Sequence, residues 1–93
     1  MFGKMKELME MKKQADKIKK ELDVIFVEVE EVRGIKITIN GSQKFKVIDI
    51  DEELLSSGNK IRLEKDLLRS INAAVKKSQN TAAQKMQAVM PGM

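Results

Sequence analysis

The sequence predicts an α+β fold: a long N-terminal helix, a three-stranded antiparallel meander and a long C-terminal helix, in one domain over residues 1–93. Three observations predict it. Apolar residues recur at steps of three and four over Met5–Leu22. The period then falls to two between Val24 and Ile50. It returns to a helical period from Ile61 to about Val89.

In the first segment Leu8, Met11, Ala15, Ile18 and Leu22 repeat every 3.5 residues on average, the period of a coiled-coil seam. Lys6, Lys13 and Lys20 recur every seven residues away from that seam, with Lys12 and Lys19 beside them. Asp16 gives Lys20 i,i+4 support. Met1, Met5, Met9 and Met11 suit a core or a dimer seam.

The middle segment reads as strands. Ile25, Val27 and Val29 alternate with Phe26, Glu28 and Glu30, and Ile35, Ile37 and Ile39 alternate with Lys36, Thr38 and Asn40. Gly34 supplies positive φ between these two strands. Asn40-Gly41 predicts a type I′ hairpin turn. A third strand, Lys44–Ile50, has apolar residues on both parities. Either both of its faces are covered or a bulge shifts the register near Val47. Asp51–Lys60 connects to the second helix, with Leu54 and Leu55 expected to fold back onto the sheet. The apolar line of that helix is Leu67, Ile71, Ala74, Ser78, Ala82 and Met86, slim enough in the middle for a second helix to approach. Pro91-Gly92 closes the pattern.

Composition limits the chemistry. With no cysteine there is no disulfide and no thiolate site, and with no histidine the commonest acid–base group and metal ligand is missing. The carboxylates Asp49, Asp51, Glu52 and Glu53 lack calcium-loop spacing and read as a polar strand end. The five glycines are scattered, so no phosphate-cradling loop is formed. The expectation is a protein that is not an enzyme and takes no cofactor and no small-molecule substrate. No apolar stretch approaches the ~20 residues of a membrane span. The N-terminus runs straight into charged helix without an apolar signal region, so a cytoplasmic location is expected.

Three phenylalanines and no tryptophan or tyrosine make a thin core. Domains this small bury only about 60% of their unfolded surface. A partner that completes the core is therefore expected, and the seam residues of both helices with the two-sided apolar character near Val47-Ile48 make that partner a second copy, a homodimer. Its interface would use Leu8, Met11, Ile18 and Leu22 of the first helix, Ile71 and Ala74 of the second, and Val47 and Ile48 of the third strand.

The net charge of +4 is unevenly placed. Residues 1–23 hold seven lysines against five acids, and residues 24–66 hold seven basic residues against nine acids. Residues 67–93 carry Arg69, Lys76, Lys77 and Lys85 with no acid at all. The excess sits on the helices and favours a polyanion. Lys12, Lys13, Lys19, Lys20, Arg69, Lys76, Lys77 and Lys85 are the candidate phosphate contacts. The absence of a basic strand interleaved with aromatics argues against base stacking on a sheet of the kind single-stranded binders use.

Several strings narrow the field further. They are Met1-Phe2-Gly3-Lys4, Met11-Lys12-Lys13-Gln14-Ala15, the hairpin from Gly34 to Gly41, Ile48-Asp49-Ile50-Asp51 with Leu54-Leu55, and Asp66-Leu67-Leu68 with Ile71-Asn72-Ala73-Ala74. Together, and in this order, they resemble the YbaB/EbfC family of small bacterial nucleoid-associated proteins over nearly the whole chain. The resemblance implies a tweezer-like homodimer in which two sheets pack at the centre and the helices project as arms. It also implies binding of double-stranded DNA without a cofactor, in the cytoplasm at the nucleoid. The chain departs from the family pattern in a shorter loop before Gly34, in Glu52 where a proline often stands, and in a short tail to Met93.

Few side chains on the helices suit base-edge reading: Arg69, Asn72, Gln14, Asn80 and a few distal glutamines. Weak sequence preference is expected. The rival reading is a protein-binding module, because helix, hairpin and helix in this order also resemble a prefoldin-type chaperone subunit. Membrane attachment through the first helix is a poorer fit, since that helix lacks a bulky apolar face.

Overall fold

The computed structural model describes residues 2–89, with the side chains of residues 3–88. The elements are α1 (Phe2–Asp23), β1 (Phe26–Val32), β2 (Ile35–Asn40), β3 (Phe45–Ile50), a 3-10 turn (Glu52–Leu55) and α2 (Lys60–Val89). The strands form one antiparallel sheet in the order β1-β2-β3. This is the expected α+β arrangement. Met1 and the Pro91-Gly92 stop lie outside the described residues.

Cross-strand pairing explains the core. Val27 pairs with Ile39 and Val29 with Ile37, so these four side chains share one face. Together with Ile35 they are buried against Ala74 of α2. Ile35, Ile37, Ile39 and Ala74 have no exposure at all. The slim Ala74 lets the helix backbone settle close to the β2 isoleucines. Leu63, Leu67, Ile71 and Val75 of α2 pack around the edges of this cluster.

The third strand stands apart. Thr38 pairs with Val47 and Ile39 with Phe45, which leaves Lys46 as an extra residue on β3. That bulge accounts for the broken alternation, so of the two expected alternatives the register shift is the one that occurs. Phe45 and Ile48 then lie on the same face as the core isoleucines, and Val47 lies on the other. Among the described residues neither face is fully covered here. Phe45, Val47 and Ile48 remain 42%, 53% and 48% exposed.

Gly34 takes φ of 97°, as its position between strands requires. A Cβ there would sit 2.9 Å from Leu54 Cδ1, so Leu54 packs directly against this turn. Leu55 does not fold back with it: it is 60% exposed. A four-residue 3-10 turn, capped by Asp51 Oδ1 on the Glu53 amide, directs only one of the two leucines inward.

The β2–β3 turn differs from the expected type I′. Gly41 does not have positive φ, and Gln43 does, at 66°. The Gln43 amide donates to the Asn40 carbonyl and the Asn40 amide to the Lys44 carbonyl. This is a three-residue loop closed by a left-handed residue. Gly41 is required for another reason. A Cβ on it would meet the Leu22 carbonyl oxygen at 2.9 Å.

The same turn holds α1. The Gly41 amide donates to the carbonyls of Leu22 and Ile25 at 3.0 Å each. Asn40 Nδ2 donates to the Asp23 carbonyl, and Ser42 Oγ donates to Asp23 Oδ1. From α2, Ser78 Oγ donates to the Asn40 carbonyl at 2.7 Å. Asn40 and Ser78 are both buried. One turn thus joins α1, α2 and the sheet through satisfied buried polar groups. Beyond it α1 leaves the body, giving overall extents of 66 × 20 × 19 Å.

Candidate nucleic-acid interface

The eight candidate basic residues fall into two environments. Lys12, Lys13, Lys19 and Lys20 lie on α1 and are all exposed. Among the described residues none of them makes an ion pair within 4 Å. Helical geometry places Lys6, Lys13 and Lys20 on one stripe at intervals of about 10 Å. These ammonium groups are exposed and unpaired among the described residues.

The α2 residues are engaged within the fold. Arg69 Nη2 lies 3.3 Å from Glu31 Oε1 of β1. Lys85 Nζ lies 3.6 Å from Glu21 Oε2 of α1. Lys77 Nζ donates to the Glu28 carbonyl at 3.2 Å. The sequence showed no acid near these residues on their own segment. The partners come from other elements, 38 to 64 positions away in the chain. Lys76 is exposed and without an ion pair among the described residues. It shares a groove of about 520 Å³ between β1 and α2 with Lys77, Asn80, Ala73, Glu28, Glu30 and Glu31. The groove therefore mixes both signs of charge.

The residues expected at a dimer interface also divide. Ile18 is 5% exposed and Ala74 fully buried within one protomer, so their own chain already covers them. Ile71 and Leu22 are half-buried, Ile71 at the margin of the core. Leu8 and Met11 stand 65% and 66% exposed on α1, with Met5 and Met9 beside them. Val47 and Ile48 present apolar surface on opposite faces of β3.

Sequence reasoning missed Glu21, Glu31, Asn40 and Ser78. Asn40 was visible only as a turn residue, and Ser78 only as a small residue in an apolar line. The bond between them spans 38 positions and has no local signature. No group of three or more acidic, cysteine or histidine side chains is placed to hold a metal among the described residues. No helix among them is long and apolar enough to cross a membrane.

The profile of the YbaB/EbfC DNA-binding family matches residues 1–93. A protein of Flavobacterium johnsoniae described as a nucleoid-associated protein is 30% identical over 101 aligned residues, covering 100% of this chain and 93% of the relative. The chain belongs to the YbaB/EbfC DNA-binding family.

Proposed function

We propose that this member of the YbaB/EbfC family is a nucleoid-associated protein that binds double-stranded DNA as a homodimer, through basic residues on its two helices and with weak sequence preference. The observation that carries the reading is the set of four exposed lysines on α1, unpaired among the described residues, on a helix that projects from the body. Phosphates neutralise such lysines without competition from the protein, and the released counterions drive association. Lys76 and Lys77 extend the same chemistry to α2, with Arg69 and Lys85 at its two sides. Base edges have few partners here, so contacts to phosphate position the duplex and carry little sequence information.

The uncovered β3 supports the dimer. Phe45, Val47 and Ile48 lie half-exposed on two faces of an edge strand, which invites a second copy to cover them. No sequence feature points to catalysis, and the partner proposed is duplex DNA alone, at the nucleoid in the cytoplasm.

The test is duplex binding across a salt series together with the mass in solution. Light scattering at micromolar concentration is expected to give about 21 kDa, twice the 10.6 kDa chain. Affinity for a random duplex is expected to fall steeply with salt, by about 0.9 in log K per log salt for each phosphate contact. The exposed Met5, Leu8, Met9 and Met11 suit capture of an apolar client instead. Salt-insensitive binding of an unfolded polypeptide, with no duplex binding at low salt, overturns the DNA reading in favour of that one.

A further inference from the structure

We propose that Glu31 and Glu21 act as internal competitors of DNA, holding Arg69 and Lys85 in ion pairs that a phosphate must displace. The inference rests on the DNA-binding reading above and names two acids that set its strength.

The geometry is specific to these two positions. Arg69 projects from α2 toward the edge strand β1, where Glu31 Oε1 meets its guanidinium at 3.3 Å. Lys85 lies one arm away, where α1 descends beside α2, and Glu21 Oε2 meets it at 3.6 Å. Each pair joins two different elements, so each is fixed by the fold and not by helix propensity. The side chains of both pairs are between 36% and 66% exposed. They are open enough for a phosphate to reach, and close enough for a carboxylate to be the resident partner.

A carboxylate and a phosphate offer a guanidinium or an ammonium the same kind of charged acceptor. Occupation by one excludes full engagement by the other. The two other ion pairs among the described residues, Lys60–Glu64 and Arg62–Asp66, lie within α2 near its start and involve none of the candidate contacts. The restraint therefore falls on α2 candidates, while the α1 lysines remain unrestrained. Such half-exposed pairs are weak, about 0.2–1 kcal/mol. They moderate affinity without abolishing it.

A double-mutant cycle on duplex affinity tests this. Glu31→Gln removes the competitor and keeps the side-chain shape. It is expected to tighten binding to a random duplex by about 1.4- to fivefold for each engaged Arg69, the fold-change equivalent of the pair. In the Arg69→Ala background the same change is expected to bring no more than Glu52→Gln brings to the parent. Glu52 is an exposed acid with no ion pair among the described residues, so that variant reports the effect of net charge alone. Glu21→Gln with and without Lys85→Ala repeats the cycle at the second pair. Circular dichroism and urea unfolding of each variant confirm an intact fold.

A gain from Glu31→Gln equal to that from Glu52→Gln, or a gain that survives Arg69→Ala, overturns the inference and leaves DNA binding standing. Absence of duplex binding by the parent chain at low salt overturns both.

Discussion

Lys13 on α1 and Lys85 on α2 have the same side chain and different surroundings. Lys13 is exposed and without an ion pair among the described residues, on a helix tied to the body at its last turn. Lys85 meets Glu21, on a helix that has passed the length of the sheet. The contrast holds for the helices as wholes. α2 buries Ser70, Ala74 and Ser78 along one face, and its basic residues lie beside acids of β1 and α1. α1 buries Ile18 alone among the described residues, and its lysines make no ion pair among them. A helix that builds the core acquires ion pairs as a by-product of packing. A helix that projects keeps its charge available.

The largest expected effect breaks this contrast at α1. Reversing Lys12, Lys13, Lys19 and Lys20 to Glu is expected to weaken binding to every duplex by on the order of 100-fold or more at moderate salt, equally across sequences. Fluorescence anisotropy on several unrelated duplexes measures it. Parent-like affinity with parent-like circular dichroism assigns α1 to scaffold and reverses the comparison.

Stability sharpens it next. Ile18→Asp places a charge at a site only 5% exposed and is expected to cost several kcal/mol, about 3 or more. Leu8→Asp, at 65% exposure, is expected to cost the protomer no more than about 0.5 kcal/mol. Urea unfolding at several protein concentrations separates the two. If Leu8→Asp lowers the midpoint only at high concentration, Leu8 lies in a seam between copies. Equal costs at all concentrations remove the distinction between the anchored and the projecting part of α1.

The smallest effect tests α2. Lys76→Ala with Lys77→Ala is expected to flatten the plot of log K against log salt by about 0.9 for each lost contact, twice that in a symmetric dimer with both arms engaged. A double variant with the slope and affinity of the parent marks both lysines as solvent-facing and leaves duplex binding to α1.

Much of this arrangement was legible in the sequence because it rests on local periodicity. The change of period near Val24 located the sheet, and Val27, Val29, Ile35, Ile37 and Ile39 declared its buried face. Gly34 declared its turn. What was hidden depends on residues far apart. Asn40-Gly41 looks like a type I′ turn by itself, and only the Leu22 carbonyl at 2.9 Å from a would-be Cβ explains the glycine without positive φ. Arg69, Lys77 and Lys85 looked unpaired because their partners sit on β1 and α1. The broken alternation of β3 announced either a bulge or two covered faces, and pairing across Thr38 and Ile39 was needed to locate the extra residue at Lys46.

The part of α1 that precedes the buried Ile18 forms a lever. From Phe2 to Lys17 it spans about 24 Å, so a tilt of about 10° at Ile18 moves the far end by about 4 Å. Successive phosphates on one strand advance by about 3.4 Å along the duplex. Such a tilt carries the end lysines across about one phosphate step, while Lys19 and Lys20 near the fulcrum scarcely move. On the proposed reading, the inner lysines set where a duplex lies and the outer ones follow its curvature.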